Sequence, residues 1–322
     1  MNLIARVLAA KMPFHRFDNV AAALQDFTEE VVVEWISKAI AKTGINTIYT
    51  GGGLFMNVKV NKRLQEMDEV RVAKFMPSSG DESLPIGACY KFYFETMGMF
   101  CKPLHNIYLG PAYSNKAIES FINQSGLADR YKIEFVDDVE YHIAQRLADG
   151  EVVARFKGAA EGGARSLGNR AILARPDRME SFFMVNDQVK MRDFWMPFAP
   201  SILRETHKTY LKMGKVTMAP FMITSFDSTD RGRRDFCAAM HNRDKTLRAQ
   251  IVDESVNPSY HKLISYFQDL TGIGGVLNTS LNLHGYPLAC SPQQAIFTID
   301  SCDLRCLALE NYFLVKRAQS VS

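Results

Sequence analysis

Between Lys157 and Leu203 the chain gathers glycines and cations in one stretch. Gly158, Gly162, Gly163 and Gly168 alternate with Arg165 and Arg170, and Asn186, Lys190 and Arg192 follow in the next segment. Glycine lets backbone N–H groups come close to an anion, and an arginine fork grips phosphate or carboxylate through two parallel bonds. That chemistry suits a ligand carrying several phosphate charges. The stretch contains neither a G-x-x-x-x-G-K-[ST] loop nor a G-x-G-x-x-G run, so it is neither a P-loop nor a dinucleotide fingerprint. Farther on, Arg248 adds a cation, and Ser280 and Asn282 in the run Val276–Asn282 add neutral donors. His241, beside the basic Asn242–Lys245, is a candidate phosphate contact or general base. Upstream, Gly51, Gly52 and Gly53 run into Asn57 as a glycine turn. Asp81 could meet a hydroxyl or a metal, or only cap a helix.

Singly, each of these has a plainer reading. An isolated loop arginine is usually a surface ion-pair partner, which suits Arg175 and Arg178 beside Asp177. Asn278 and Thr279 suit turn bonds as well as ligand contacts.

These residues need a scaffold. The chain has 322 residues, enough for two cores. It is 47% hydrophobic and 23% charged, the balance of an ordinary globular protein. A net charge of +3 does not by itself argue for nucleic acid. No run approaches the ~18 apolar residues of a membrane span, and the short apolar run near the N-terminus lacks a cleavage signal. Six scattered cysteines, with Cys302 and Cys306 as a lone C-x-x-x-C, read as buried free thiols of a reducing cytosol. A cytoplasmic location is therefore expected.

Residues 18–42 read as an amphipathic helix with Asp18 as N-cap and Gly44 as its stop. Val20, Leu24, Phe27, Val31, Trp35 and Ile36 recur at helical spacing. A strand at 46–50, a helix and strand within 57–76, and a loop entering a helix after Ser79 complete an alternation that predicts a parallel α/β layer. Residues 103–115 turn loop-like, which sets the expected domains at 1–105 and 106–322. The second domain reads as helices at 115–124 and 138–149, strands at 132–136 and 152–156, a helix capped near Asn257, and a strand at 274–280.

The chemistry-bearing segments also resemble a known family in five ordered blocks. Glu161–Leu173 (EGGARSLGNRAIL) resembles the E-G-P-R-A-L-G-N-R-S-I-L block of the O-carbamoyltransferases of nodulation factors and antibiotics. Val189–Pro200, His241–Val252, Val276–Asn282 and Leu307–Lys316 are similar to that family's later blocks. Gly51–Asn57 and Pro77–Ala88 resemble two motifs of its actin-like part, with Ser83 where a glycine is expected.

The resemblance implies an α/β fold in which a partial actin-like (ASKHA) domain precedes a YrdC-like α/β domain. It implies an ATP-dependent carbamoyltransferase that forms carbamoyl adenylate from carbamoyl phosphate and ATP. The carbamoyl group then passes to an acceptor hydroxyl on a sugar, a natural product or a hydroxymethylated DNA base. Arg165, Lys190 and Ser280 are the implied catalytic groups. Arg170, Arg192, His241, Arg248, Asn278, Asn282, Gly51, Gly52, Gly53, Asn57 and Asp81 are the implied substrate and nucleotide contacts. Replacing Lys190 or Arg165 is expected to cost rate, with little change in stability if both side chains face a solvent-filled pocket. ATP and Mg²⁺ are implied, with Fe²⁺ or another divalent ion held mainly by a half-domain that family members carry before the matched segment. The chain holds no H-x-x-x-H, so that half is expected either on a further stretch of the same protein or, preferably, on a partner chain, without a membrane. A non-catalytic adenylate-binding or scaffold subunit is the alternative, and threonylcarbamoyl chemistry fits the blocks less well.

Overall fold

The structure, a computed structural model, describes residues 6, 10, 12, 14–193 and 195–317. The N-terminal signal-peptide question falls mostly outside them. Helix α1 (Phe17–Thr43) leads into β1 (Thr47–Thr50), α2 (Val58–Glu66), β2 (Val72–Phe75) and α3 (Leu84–Met97). β1 and β2 pair in parallel, from Thr47 against Val72 to Thr50 against Phe75, as the alternation predicts. Gly44 ends α1 at φ 71°, a left-handed turn that glycine adopts without a Cβ penalty. Asp18 is not the cap. The helix begins one residue earlier, where Phe17 meets the Trp195 ring at 5.4 Å, and Arg16 takes the N-cap position and pairs with Asp18 at 2.8 Å.

This first layer has a thin core of Val32, Ile36, Phe55, Val60, Leu64, Met67 and Val70. α2 seats it on the rest of the chain. Lys59 pairs with Asp244 at 2.6 Å and Lys62 with Asp227 at 2.8 Å. Buried Asn61 donates to the carbonyls of Phe55 at 2.7 Å and Ile223 at 2.6 Å.

After a coil, the second part runs α4 (Asn115–Gln124), β3 (Tyr131–Phe135), α5 (Val139–Ala148), β4 (Val153–Phe156), β5 (Arg170–Ala174), α6 (Met179–Val185) and β6 (Ala199–Leu203). There follow α7 (His207–Tyr210), β7 (Leu211–Lys212), β8 (Phe226–Ser228), α8 (Asp230–Asp235), β9 (Thr246–Leu247) and β10 (Gln250–Val252). The chain closes with α9 (Pro258–Thr271), β11 (Gly275–Ser280), α10 (Pro292–Asp300), β12 (Cys306–Leu309) and β13 (Tyr312–Lys316). Asn257 caps α9, accepting the Tyr260 N–H at 3.1 Å.

Eight strands form one mixed sheet in the order β10-β6-β11-β5-β4-β12-β13-β3, and β7, β8 and β9 form a small separate sheet. Successive side chains on a strand point to opposite faces, so two cores form. Val153, Ala171, Leu173 and Val276 pack with α5 and α9, and Ala154, Ile172 and Leu277 pack with α4, α6 and α10. The molecule is mixed α/β throughout.

Register decides which segments meet. β11 runs antiparallel to both its neighbours, with Ser280 opposite Ala171 and Asn278 opposite Ala199. β10 runs parallel to β6, with Gln250 opposite Ser201. The C-terminal end of β11 and the entries to β5, β6 and β10 therefore share one end of the sheet.

All six cysteines are free, as expected, but not all are buried. Cys306 is buried while Cys89 and Cys290 are exposed. Cys89 lies on α3, a helix with no buried residue. Among the described residues no helix is long and apolar enough to cross a membrane.

Candidate functional site

At that end of the sheet lies a cavity of about 70 Å³, lined by Ala164, Arg165, Ser166, Arg192, Pro197, Phe198, Ala199, Met222, Arg248, Asn278, Thr279 and Ser280. Each part follows from the topology. Arg165 comes from the loop entering β5, Arg192 from the turn before β6, Arg248 from the link into β10, and the polar rim from the end of β11. Arg192 follows a π-turn, Asn186–Lys190, and Met191 at φ 45° redirects the chain there. Its guanidinium lies 4.2 Å from the Phe198 ring, a cation–π distance.

Among the described residues no carboxylate lines this cavity. The Nε atoms of Arg165, Arg192 and Arg248, and Nη2 of Arg192, have no hydrogen-bond partner among the described residues. Burial pushes all three guanidiniums down: Arg165 against the opposing pull of Glu82, Arg192 to about 10 with Arg165 adding, and Arg248 to about 9 with Arg165 and Arg192 adding. All three remain protonated at neutral pH. Like charges gathered in a desolvated space raise the free energy of the empty site, and an anion relieves it.

The loop from Lys157 to Arg170 holds its shape through glycine. Gly158, Gly163 and Gly168 have φ of 70°, 92° and 107°, where a side chain is strained. At Gly163 an added Cβ would lie 2.5 Å from Ser78, so the close approach made by glycine here is to the first layer of the chain. The Ser78 hydroxyl also accepts the Ala164 N–H at 3.3 Å.

Lys190 does not line the cavity. Its buried ammonium donates to the Ser280 carbonyl at 2.6 Å, the Asn282 carbonyl at 2.8 Å and Asn282 Oδ1 at 2.6 Å, with Ser280 Oγ at 3.3 Å. It braces the turn that presents Ser280 rather than facing a solvent-filled pocket, so the condition under which its replacement was expected to spare stability is not met. Burial, then the charge of Arg192, pulls it down to about 7. Four surrounding oxygens offset part of that cost. Desolvation thus holds the proton affinity of native Lys190 below that of an unfolded lysine, ~10.4. Between those values the unfolded chain binds more protons, so stability rises with pH. We expect the denaturant midpoint to be higher at pH 9 than at pH 6, and Lys190→Met to remove that component of the slope.

The remaining expected residues are spread more widely, and of them only Asn278 reaches the cavity. Arg170 is buried with its guanidinium 3.6 Å from the Phe156 ring, and it donates to the Pro111 carbonyl at 2.9 Å. Asn278 lines the cavity while its amide donates to Ser201 Oγ at 3.0 Å and to the Ser166 carbonyl at 3.2 Å. Asn282 faces Lys190. His241 pairs with Asp244 at 2.9 Å, at the seat of the first layer. Gly51, Gly52 and Gly53 are exposed after β1. Asn57 caps α2, accepting from Lys59 and Val60 N–H at 3.2 Å. Asp81 is exposed in a short turn and does not cap α3, whose N-cap is Ser83. Among the described residues no group of three His, Cys, Asp or Glu could hold a metal.

Two roles escaped the sequence reading. Glu161 and Arg155 are both buried and both hold the arginine loop. Arg155 had a signal, a charge inside the apolar run of β4.

Comparison with known proteins places this geometry. The family model "Carbamoyltransferase C-terminus" matches residues 144–316 and "Carbamoyltransferase N-terminus" matches residues 4–90. An uncharacterized protein of Methanocaldococcus jannaschii is 32% identical over 93% of this chain and 49% of its own length. Nodulation protein NolO of Bradyrhizobium diazoefficiens is 31% identical over 96% of this chain and 57% of its own. Nodulation protein NolNO of Sinorhizobium fredii is 30% identical over 96% and 46%. The chain spans about half the length of the curated relatives it matches. Among solved structures, full-length HypF in its phosphate- and nucleotide-bound form overlaps 55% of this chain and 26% of its own at 15% identity and TM-score 0.38. E. coli YciO overlaps 53% and 77% at 12% identity and TM-score 0.39; overlaps this weak carry no functional weight. The cavity, with all three of its arginines, lies inside the segment matched over 144–316, and the chain belongs to the carbamoyltransferase family.

Proposed function

We propose that this chain forms carbamoyl adenylate from carbamoyl phosphate and ATP, for transfer of the carbamoyl group to an acceptor hydroxyl. The observation that carries the reading is the convergence of Arg165, Arg192 and Arg248, without a carboxylate, on a cavity rimmed by Asn278, Thr279 and Ser280. Carbamoyl phosphate and ATP are polyanions that repel each other. Preorganised cations bring them together and stabilise charge that builds in the transition state. Water cleaves carbamoyl phosphate to carbamate and phosphate. A carbamate oxygen then attacks the α-phosphorus of ATP and pyrophosphate leaves. In the second step the acceptor hydroxyl attacks the carbamoyl carbon, AMP departs and the hydroxyl proton goes to solvent. Mg²⁺ enters with ATP. The described residues offer no donor set for Fe²⁺ or another resident metal, so no step is assigned to one.

A partner chain fits the first layer. Leu24, Phe27, Val31 and Trp35 are exposed along one stripe of α1, and Leu84, Phe92 and Met97 are exposed on α3. Apolar stripes at helical spacing ordinarily pack against protein. We propose that a chain completing the actin-like domain covers them, burying more than about 2,000 Å², and that it supplies the rest of the acceptor site. A cytoplasmic location is part of the same proposal.

The test is pyrophosphate release from ATP, with and without carbamoyl phosphate, by the chain alone and co-expressed with its partner. Release that depends on carbamoyl phosphate is expected. A folded, partner-saturated chain that releases none refutes the reading.

A further inference from the structure

The loop carrying Arg165 belongs to no sheet or helix between Lys157 and Arg170, yet its second half, from Ser166 on, is buried. Its backbone polar groups therefore need partners from outside regular structure. Two buried charged side chains supply several of them. Glu161 Oε1 accepts the N–H groups of Leu167 and Asn169, each at 2.7 Å, and of Arg170 at 3.2 Å, with the Ser166 hydroxyl at 3.4 Å. Arg155, projecting from β4, takes the opposite polarity. Its Nη1 donates to the Gly168 carbonyl at 2.6 Å and to Asn169 Oδ1 at 3.1 Å, and Nη2 donates to Ser259 Oγ at 2.7 Å. Glu161 is 5% exposed and Arg155 0%.

Burying a lone charge is costly unless strong hydrogen bonds answer it. Here the bonds converge on four consecutive residues, 167–170, immediately after Arg165 and Ser166. The carboxylate gathers the N–H groups of this segment while the guanidinium fixes the carbonyl and side chain between them. Around them, Tyr108 Oη and Gln250 Nε2 both donate to the Leu167 carbonyl, at 2.8 and 3.0 Å. Neither Glu161 nor Arg155 lines the cavity.

We propose that Glu161 and Arg155 are positioning residues, a clamp of opposite charges that fixes the 167–170 backbone and thereby aims Arg165 at the anion. This rests on the reading of the cavity as an anion site, and the two are separable by experiment. The probe is inorganic pyrophosphate, titrated calorimetrically into the full chain. Glu161→Gln keeps the shape and loses the charge of the acceptor, and it should weaken binding about tenfold, the scale of a hydrogen bond to a charged group. If Glu161 acts through Arg165, the same substitution in an Arg165→Ala background should cost almost nothing, because coupled residues are non-additive. Arg155→Lys keeps the charge, loses one arm of the fork, and should repeat the pattern from the carbonyl side; it also serves if Glu161→Gln does not fold. Amide exchange should quicken at Leu167, Asn169 and Arg170 in Glu161→Gln ahead of the rest of the chain. Equal losses in the two backgrounds, or unchanged exchange at those amides, overturn the clamp. An unaltered chain that binds no pyrophosphate removes the anion-site reading and with it the aiming role, leaving exchange to judge the backbone clamp alone.

Discussion

Arg165→Ala and Arg248→Ala should each slow carbamoyl-phosphate-dependent pyrophosphate release by roughly a hundredfold or more, a loss of about 3 kcal/mol of transition-state stabilisation. Each removes one of three guanidiniums that meet at the cavity with no carboxylate among its lining residues. The same substitutions should leave thermal stability unchanged or raise it. Burial holds both groups below the ordinary arginine range, and Arg165 adds to the shift of Arg248, so deleting one charge relaxes its neighbours. Loss of activity with a gain in melting temperature marks a site kept for function at the expense of stability. Kinetics and a thermal melt on the same samples check it. A fall in both would assign these arginines to structure.

Gly168→Ala should do the reverse, destabilising the fold by about 3 kcal/mol. Gly168 has φ 107°, and an added Cβ would sit 2.7 Å from Tyr260 Cγ and closer still to Cδ1 and Cε1. Left-handed backbone costs about 1–2 kcal/mol for an L-residue, and overpacking a filled core adds about 1–3 kcal/mol. Tyr260 is fully buried on α9, so the ring has nowhere to turn. Chemical denaturation measures the loss. A variant as stable as the parent would show that loop and helix can part.

Much of this was legible before the structure. Helix α4 and strand β11 were readable because apolar spacing and end signals agree there: Ser114 accepts the Ala117 N–H at 3.2 Å and begins α4. The end of α1 was legible from Gly44, but its start was not, because an aromatic contact with Trp195, distant in sequence, outweighed the capping preference of Asp18. The glycines and Arg165 announced an anion loop. Sequence spacing could not reveal that Arg170 points away from the cavity. Arg165 lies in the loop while Arg170 opens β5, and the strand pleat sends it onto Phe156. Lys190 was readable as important but not as a brace, since its oxygens lie some ninety residues on in the turn after β11. Glu161 was visible only as the first residue of a family block, because nothing in the spacing shows that it takes the backbone N–H groups of residues 167, 169 and 170.

Isotope exchange between labelled pyrophosphate and ATP tests the central claim most directly, because label returns to ATP only if an adenylate forms reversibly with pyrophosphate as its leaving group. With carbamoyl phosphate present, we expect label in ATP from the unaltered chain, and loss of that exchange in Arg248→Ala while the fold is retained. A folded chain, saturated with both substrates, that leaves ATP unlabelled would contradict the account.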